Sequence, residues 1–229
     1  MPRPPTVLHS IRYGDDVAQA GDLYVPDQRR CPVVCLLHGG FWRMPFSRDQ
    51  FDAVASDLAT RGFAVWNMGY RRVGAPGGGF PGTLLDVDAG IDHLTAVLAR
   101  GIDLDFERVV VVGHSAGGHL ALWSAARRRS NVPGVSGRVR PIAVAGPAPV
   151  CDRESAYTLG VGEGAVEAFL GGVPSEVPGR YAAASPRTLL PLGELRGREG
   201  CPGERFPWAP FDCVMSRPAS WARSWRLHE

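Results

Sequence analysis

The chain has 229 residues, 45% of them hydrophobic, which is enough for one domain with a substantial core. A formal net charge of +2, carried by arginines that are scattered along the chain, excludes a nucleic-acid groove or a basic membrane patch. No apolar run reaches transmembrane length, and the first residues lack the basic start and apolar stretch of a secretory signal, so a cytoplasmic protein is expected.

The elements follow in chain order. Residues 6–11 and 22–25 read as the short strands of a hairpin. Pro32-Val33-Val34-Cys35-Leu36-Leu37 is an apolar run of strand length that ends in His38-Gly39-Gly40-Phe41-Trp42. Residues 48–61 have helical periodicity, with Phe51, Val54, Ala55 and Leu58 on one face and Gly62 as the stop. Residues 64–68 form a strand, Tyr70-Arg71-Arg72 leads into a Gly/Pro loop over 74–82, and a helix is predicted over 83–100. In that helix Leu84, Val87, Ile91, Leu94 and Leu98 face inward. Val109 to Val112 are four valines in a row, the pattern of a strand buried on both faces. An Ala/Leu-rich helix follows to about Arg128, then a strand over 142–145. Strands alternating with helices predict an α/β fold: a mostly parallel sheet, helices on both faces, right-handed crossovers. Ligands of such sheets sit at the carboxyl ends of the strands, where His38, Ser115 and Asp152 fall.

Gly113-His114-Ser115-Ala116-Gly117 fits G-x-S-x-G between the valine strand and the helix. A serine on so sharp a turn has its hydroxyl held above the sheet. The amides and positive dipole end of the new helix point at any oxyanion formed there. A chance match in a chain with 29 glycines is the alternative, and the strand before and the helix after the motif argue against it. His38-Gly39-Gly40-Phe41 supplies a second set of exposed amides, because glycines let the main chain approach a substrate. The candidate oxyanion-hole donors are the N–H groups of Gly40, Phe41 and Ala116, each worth about 3–4 kcal/mol in a transition state. A plain strand-ending Gly-Gly turn is the alternative for residues 39–40.

Together with Tyr70-Arg71-Arg72 and Tyr181-Ala182-Ala183-Ala184-Ser185-Pro186, the His38–Arg43 and Gly113–Ala121 motifs resemble α/β-hydrolase esterases of the kynurenine formamidase and feruloyl-esterase-like branch. The resemblance covers roughly residues 10–193. It implies an α/β-hydrolase domain over 1–193, with a short cap over 159–186. It implies hydrolysis of small carboxylic esters or arylformamides through an acyl-enzyme on Ser115, a small-molecule ester or amide as partner, and no cofactor. No metal site is expected either: the five cysteines (Cys31, Cys35, Cys151, Cys201, Cys213) form no C-x-x-C pair and no cluster with zinc spacing. Trp42 and Tyr70 are candidates for an aromatic substrate pocket, with core packing as the alternative. Oligomeric state is left open.

The same resemblance implies an acid and a histidine base downstream of Ser115. Here the chain departs from the pattern. After Gly193 no apolar strand pattern follows, and residues 194–229 read as an atypical tail with four prolines and several Gly/Arg runs. Pro210-Phe211-Asp212 stands where an H-F-D segment would be, so Pro210 takes the place of the base. His228 is the sole histidine after His119 and a weak candidate for base. Asp152 and Asp212 are weak candidates for acid. His114 and His119 suit packing or orienting roles, and His38 a structural one. The fold expectation is therefore a hydrolase whose C-terminal strand and helix are missing or degraded. A catalytically impaired hydrolase-fold protein, by descent or by gene damage, is the alternative function. No sheet strand is expected from residue 194 onward.

Overall fold

The computed structural model describes residues 5–98, 101–189 and 213–216, with residue 98 and the last four as backbone only. One seven-stranded sheet runs through it in the order β1-β2-β4-β3-β5-β6-β7. Strands β1 (Thr6–Arg12) and β2 (Ala20–Val25) form the antiparallel hairpin, and β2 is antiparallel to β4 (Ala64–Met68). The centre is parallel: β3 (Cys31–Leu37) lies between β4 and β5 (Leu104–Gly113), and β5 pairs with β6 (Ala143–Gly146).

The apolar runs are continuous because both faces of the sheet are covered. Val33, Cys35 and Leu37 join Ala64, Trp66, Met68, Val109 and Val111 in the larger core, under α2 (Gly82–Asp92) and α4 (Ala116–Ala126). Val34, Leu36 and Val65 point the other way, onto Ala55 and Ala59 of α1 (Asp52–Thr60). The carboxyl ends of β3 and β5 emerge side by side, Leu37 opposite Gly113, and the two glycine motifs start from there. After β6 come four short helices, in and beside the region expected as the cap: α5 (Arg153–Thr158), α6 (Ala165–Leu170), α7 (Pro178–Ala184) and α8 (Pro186–Leu189).

Three expectations need correction. Val54 is exposed, not inward: the segment opens with a 3₁₀ turn (Arg48–Phe51), whose three residues per turn rotate the buried face of α1 onto Ala55 and Ala59. The helix expected over 83–100 breaks at His93 into α2 and α3 (Leu94–Leu98), where Ala96 N–H bonds the His93 carbonyl and Thr95 Oγ1 donates to the Asp92 carbonyl. Leu84, Val87, Ile91 and Leu94 are buried as expected; the side chain of Leu98 and residues 99–100 lie outside the described residues. Finally, Cys213–Ser216 forms β7, antiparallel to β6 in the register Gly146↔Cys213 to Ala143↔Ser216. Cys213-Val214-Met215 is the short apolar stretch in the tail that can satisfy the open edge of β6. Asp212 and His228, with Trp208, Trp221 and Trp225, lie outside the described residues.

Candidate active site

Ser115 sits between β5 and α4 with φ 54° and ψ −115°, a conformation costly for a residue with a side chain. The surroundings hold it there. Its N–H donates to the Pro147 carbonyl (3.0 Å), its carbonyl accepts from His119 N–H (3.0 Å), and Gly117 N–H donates to the His114 carbonyl (2.8 Å). The first turn of α4 is pressed against the end of β3, so closely that a Cβ on Gly117 would overlap the Leu37 and His38 carbonyl oxygens. That approach is the reason for glycine at the last position of the motif.

The β3 loop lies directly across from the serine. A Cβ built on Gly39 would stand 3.6 Å from the Ser115 Cβ. Gly40, Phe41 and Trp42 then take left-handed conformations in succession, with φ 105°, 53° and 57°. Arg43 N–H closes the turn on the Gly40 carbonyl (2.9 Å). Among the described residues, no acceptor takes the amide hydrogens of Gly40, Phe41 or Ala116.

Two strained non-glycine residues need anchoring, and Trp42 and Tyr70 supply it. Both side chains are buried, so they pack beneath the loop and do not line a pocket. Trp42 Nε1–H donates to His119 Nδ1 (3.1 Å) and its ring stacks on Phe169 of α6 at 4.8 Å between centroids. The guanidinium of Arg153 lies over the same ring, with Cζ 4.7 Å from its centroid. His119 must then carry its proton on Nε2, which it gives to the Ala184 carbonyl of α7 (2.7 Å). Burial, and secondarily the Arg153 charge, push the His119 pKa well down, so the ring is a neutral spacer between loop and cap. Tyr70 stacks on His38 at 4.2 Å and donates to the His38 carbonyl (2.7 Å).

His38 is also neutral. Its Nδ1–H donates to the Gly39 carbonyl (2.8 Å), its Nε2 is buried without a partner among the described residues, and burial lowers its pKa to about 4. The unfolded chain binds a proton near the ordinary value of about 6.5, so stability falls as pH drops from about 6.5 towards 4. The shift corresponds to about 3 kcal/mol at most. Urea unfolding at pH 7 and pH 4 checks this. His38→Asn, whose amide can replace Nδ1–H, is expected to lose less stability than the parent over that interval.

The site surface is apolar. Phe41, Met44 and Phe46, in and just after the loop, are exposed large hydrophobics. The cap meets the loop here: Arg43 donates to the Gly162 and Glu163 carbonyls (3.4 and 3.2 Å), and a Cβ on Gly162 would overlap the Phe41 ring. Met44 and Phe46 were not among the residues expected from the sequence, although apolar side chains in a glycine-flanked loop were the available signal.

Of the weak candidates for acid and base, Asp212 and His228 lie outside the described residues, and Asp152 makes its hydrogen bonds elsewhere than to the serine. Among the described residues, no hydrogen bond reaches the Ser115 hydroxyl. Asp152 caps α5, accepting from Glu154 N–H (3.1 Å), Ser155 N–H (3.3 Å) and Ser155 Oγ–H (2.9 Å), and pairs with Arg187. Partial burial raises its pKa, but the Ser155 hydroxyl and amide and the Arg187 charge outweigh that and hold the carboxyl below its ordinary range. Asp152→Ala is therefore expected to lower stability by about 1 kcal/mol, as loss of a cap does, and to leave the reactivity of Ser115 unchanged. Thermal unfolding and esterase assay of the same sample check both. His114 is exposed, while His9 lies 3.4 Å from Asp22 and His93 packs against Tyr13 and Trp66, all within the hairpin and helix layer. Among the described residues no three His, Cys, Asp or Glu side chains could hold a metal ion.

A strained serine between strand and helix, facing a left-handed glycine loop on a mostly parallel sheet, defines an α/β-hydrolase fold. The chain belongs to the BD-FAE family, whose model matches residues 22–190. It is similar to esterase B from Lactobacillus rhamnosis, at 26% identity and a TM-score of 0.69 over 82% of this chain and 62% of that one. It is also similar to the bifunctional GH43-CE of Bacteroides eggerthii, at 25% identity and a TM-score of 0.68 over 80% of this chain and 29% of that one. A stretch of 117 residues, half of this chain and 27% of the relative, is 32% identical to the "Probable isoprenylcysteine alpha-carbonyl methylesterase ICMEL1" of Oryza sativa subsp. japonica. The chain thus spans about a quarter of the length of that relative.

Proposed function

We propose that this chain hydrolyses small carboxylic esters through an acyl-enzyme on Ser115. The observation that carries the reading is the opposition of the strained Ser115 to the Gly39–Trp42 loop, 3.6 Å from Gly39 at the Cβ level. In this reading the Ser115 oxygen adds to the ester carbonyl and its proton leaves to solvent. The N–H groups of Gly40, Phe41 and Ala116 receive the negative oxygen. The alkoxide departs with a proton from water, and a second water releases the acid. Exposed Phe41, Met44 and Phe46 suit an apolar acyl or aryl group, which keeps arylformamides in view. The esterases among the solved neighbours support the ester class. No helix among the described residues is long and apolar enough to cross a membrane, and the buried thiols of Cys31 and Cys35 agree with a reducing, cytoplasmic compartment.

A second reading, an impaired hydrolase, is supported by the absence of any hydrogen bond to the Ser115 hydroxyl from the described residues. Labelling with a fluorophosphonate, followed by peptide mass spectrometry, tests the nucleophile. Parallel assays on p-nitrophenyl acetate and N-formylaniline test turnover and class. Label on Ser115 with turnover supports the first reading, label without turnover the second, and label elsewhere sinks both.

A further inference from the structure

Arg153 is the most anomalous side chain near the site. It is fully buried at 0% exposure, and none of its three guanidinium nitrogens has a hydrogen-bond partner among the described residues. Leaving a buried charge unpaired is among the costliest things a protein does. The position makes it worse, because Arg153 is the first residue of α5 and stands at the positive end of that helix. The carboxylate beside it in sequence, Asp152, is committed to the α5 amides, Ser155 and Arg187. What the guanidinium does touch is the face of Trp42. Trp42 follows Phe41 directly, so a single side chain separates the charge from the loop whose amides face Ser115.

We infer that Arg153 is kept uncompensated so that its field supports the negative charge formed at the Ser115 oxyanion site. The inference rests on the reading of Ser115 as nucleophile. An Arg paired with a carboxylate would present little field beyond a few ångströms. An Arg buried against the Trp42 ring, with no such partner among the described residues, is screened far less. A unit charge at a distance on the order of 10 Å, in an effective dielectric of about 20, changes the stability of an opposite charge by about tenfold. Arg153 lies outside contact distance of a bound ester in this scheme. It acts through the electrostatics of the loop and is a positioning residue for charge, in the way preorganised dipoles are. Burial supports the argument, since it lowers the Arg153 pKa only to about 9 and leaves the group charged at neutral pH.

The rival role is mechanical: Arg153 as a cation–π brace that keeps Trp42 in place. The two differ in sign. Removing an unpaired buried charge relieves the fold, whereas removing a brace weakens it. Phenylboronic acid separates them. Its boron accepts the Ser115 oxygen, a B–O bond forms, the hydroxyl proton leaves to solvent, and the adduct is a tetrahedral anion. Affinity is measured by calorimetry or ¹¹B NMR at pH 7.5 for the parent and for Arg153→Met, Arg153→Lys and Ser115→Ala. Circular dichroism and melting temperature are recorded on each.

Arg153→Met is expected to bind the boronate about tenfold more weakly and to melt no lower than the parent. Arg153→Lys, which restores the charge without the guanidinium geometry, is expected to stay within about threefold. If the adduct is too weak to measure, the rate of Ser115 phosphonylation by a fluorophosphonate is compared in its place. A Ser115-dependent adduct indifferent to Arg153→Met, or weakened equally by Met and Lys, overturns the inference alone. A lower melting temperature with unchanged affinity assigns Arg153 to bracing and overturns it too. An adduct that survives Ser115→Ala overturns the serine reading itself and with it the site that Arg153 would serve.

Discussion

Ser115→Ala is expected to bring hydrolysis of p-nitrophenyl acetate down to the rate of the enzyme-free blank, and the parent chain is expected to turn over far below the typical enzyme value of about 10 s⁻¹. The reason is a division of labour visible in the site. Activation of a serine hydroxyl needs a base within hydrogen-bond reach, and among the described residues none is bonded to Ser115. His38 and His119 are neutral, buried and committed to backbone carbonyls, so neither can turn to the serine without breaking the loop it supports. Stabilisation of the oxyanion needs only amides, and those of Gly40, Phe41 and Ala116 stand without acceptors among the described residues. Serine hydrolases deprived of triad members retain rate enhancements of about 10³–10⁴ over water from such amides and from binding. A weak activity that depends wholly on Ser115 is the expected pattern. A turnover near 10 s⁻¹, abolished by Ser115→Ala, would place a base in residues 190–229.

What the sequence made legible, and what it did not, follows from the range of the interactions involved. The parallel centre of the sheet was readable because Val33 to Leu37 are buried on both faces and Val109 to Val112 are buried on one and half-buried on the other, and a short continuous apolar run fits such a covered strand better than an exposed element. The elbow was readable because Gly113 and Gly117 answer to local crowding that only glycine fits. The exposure of Val54 was not, because a 3₁₀ start shifts the phase of a helix without leaving a mark in composition. Trp42 was ambiguous for a similar reason. Its anchoring depends on Phe169 and Arg153, more than a hundred residues downstream, and no periodicity connects them. Arg153 itself, in Cys-Asp-Arg-Glu-Ser, reads as an ordinary polar helix start, and its burial is a property of the cap closing over it. β7 was missed because four residues paired by a sheet edge need little pattern of their own.

Arg127→Ala is expected to lower the free energy of unfolding by about 3–5 kcal/mol, a large share of the roughly 5–15 kcal/mol that holds a typical domain. Arg127 leaves the end of α4 and is buried at 2% exposure. Its Nε–H donates to Asp88 (2.7 Å), Nη2–H to Asp92 (2.9 Å) and to the Val139 carbonyl (2.7 Å), and Nη1–H to the Ser124 carbonyl (2.8 Å). The two carboxylates in turn take the amides of Ser136, Gly137, Arg138 and Val139 and the Ser136 hydroxyl. Removing the guanidinium leaves two buried carboxylates facing each other without a cation, which is why the loss exceeds that of any surface pair such as Arg61–Asp57. The effect reaches the site through the chain. The segment held by this network runs into β6, and β6 ends one residue before Pro147, whose carbonyl takes the Ser115 amide. Urea unfolding of Arg127→Ala beside Arg61→Ala gives the measure. A loss at Arg127 no greater than at Arg61, or full recovery by Arg127→Leu with both carboxylates intact, would show that the pairing contributes little.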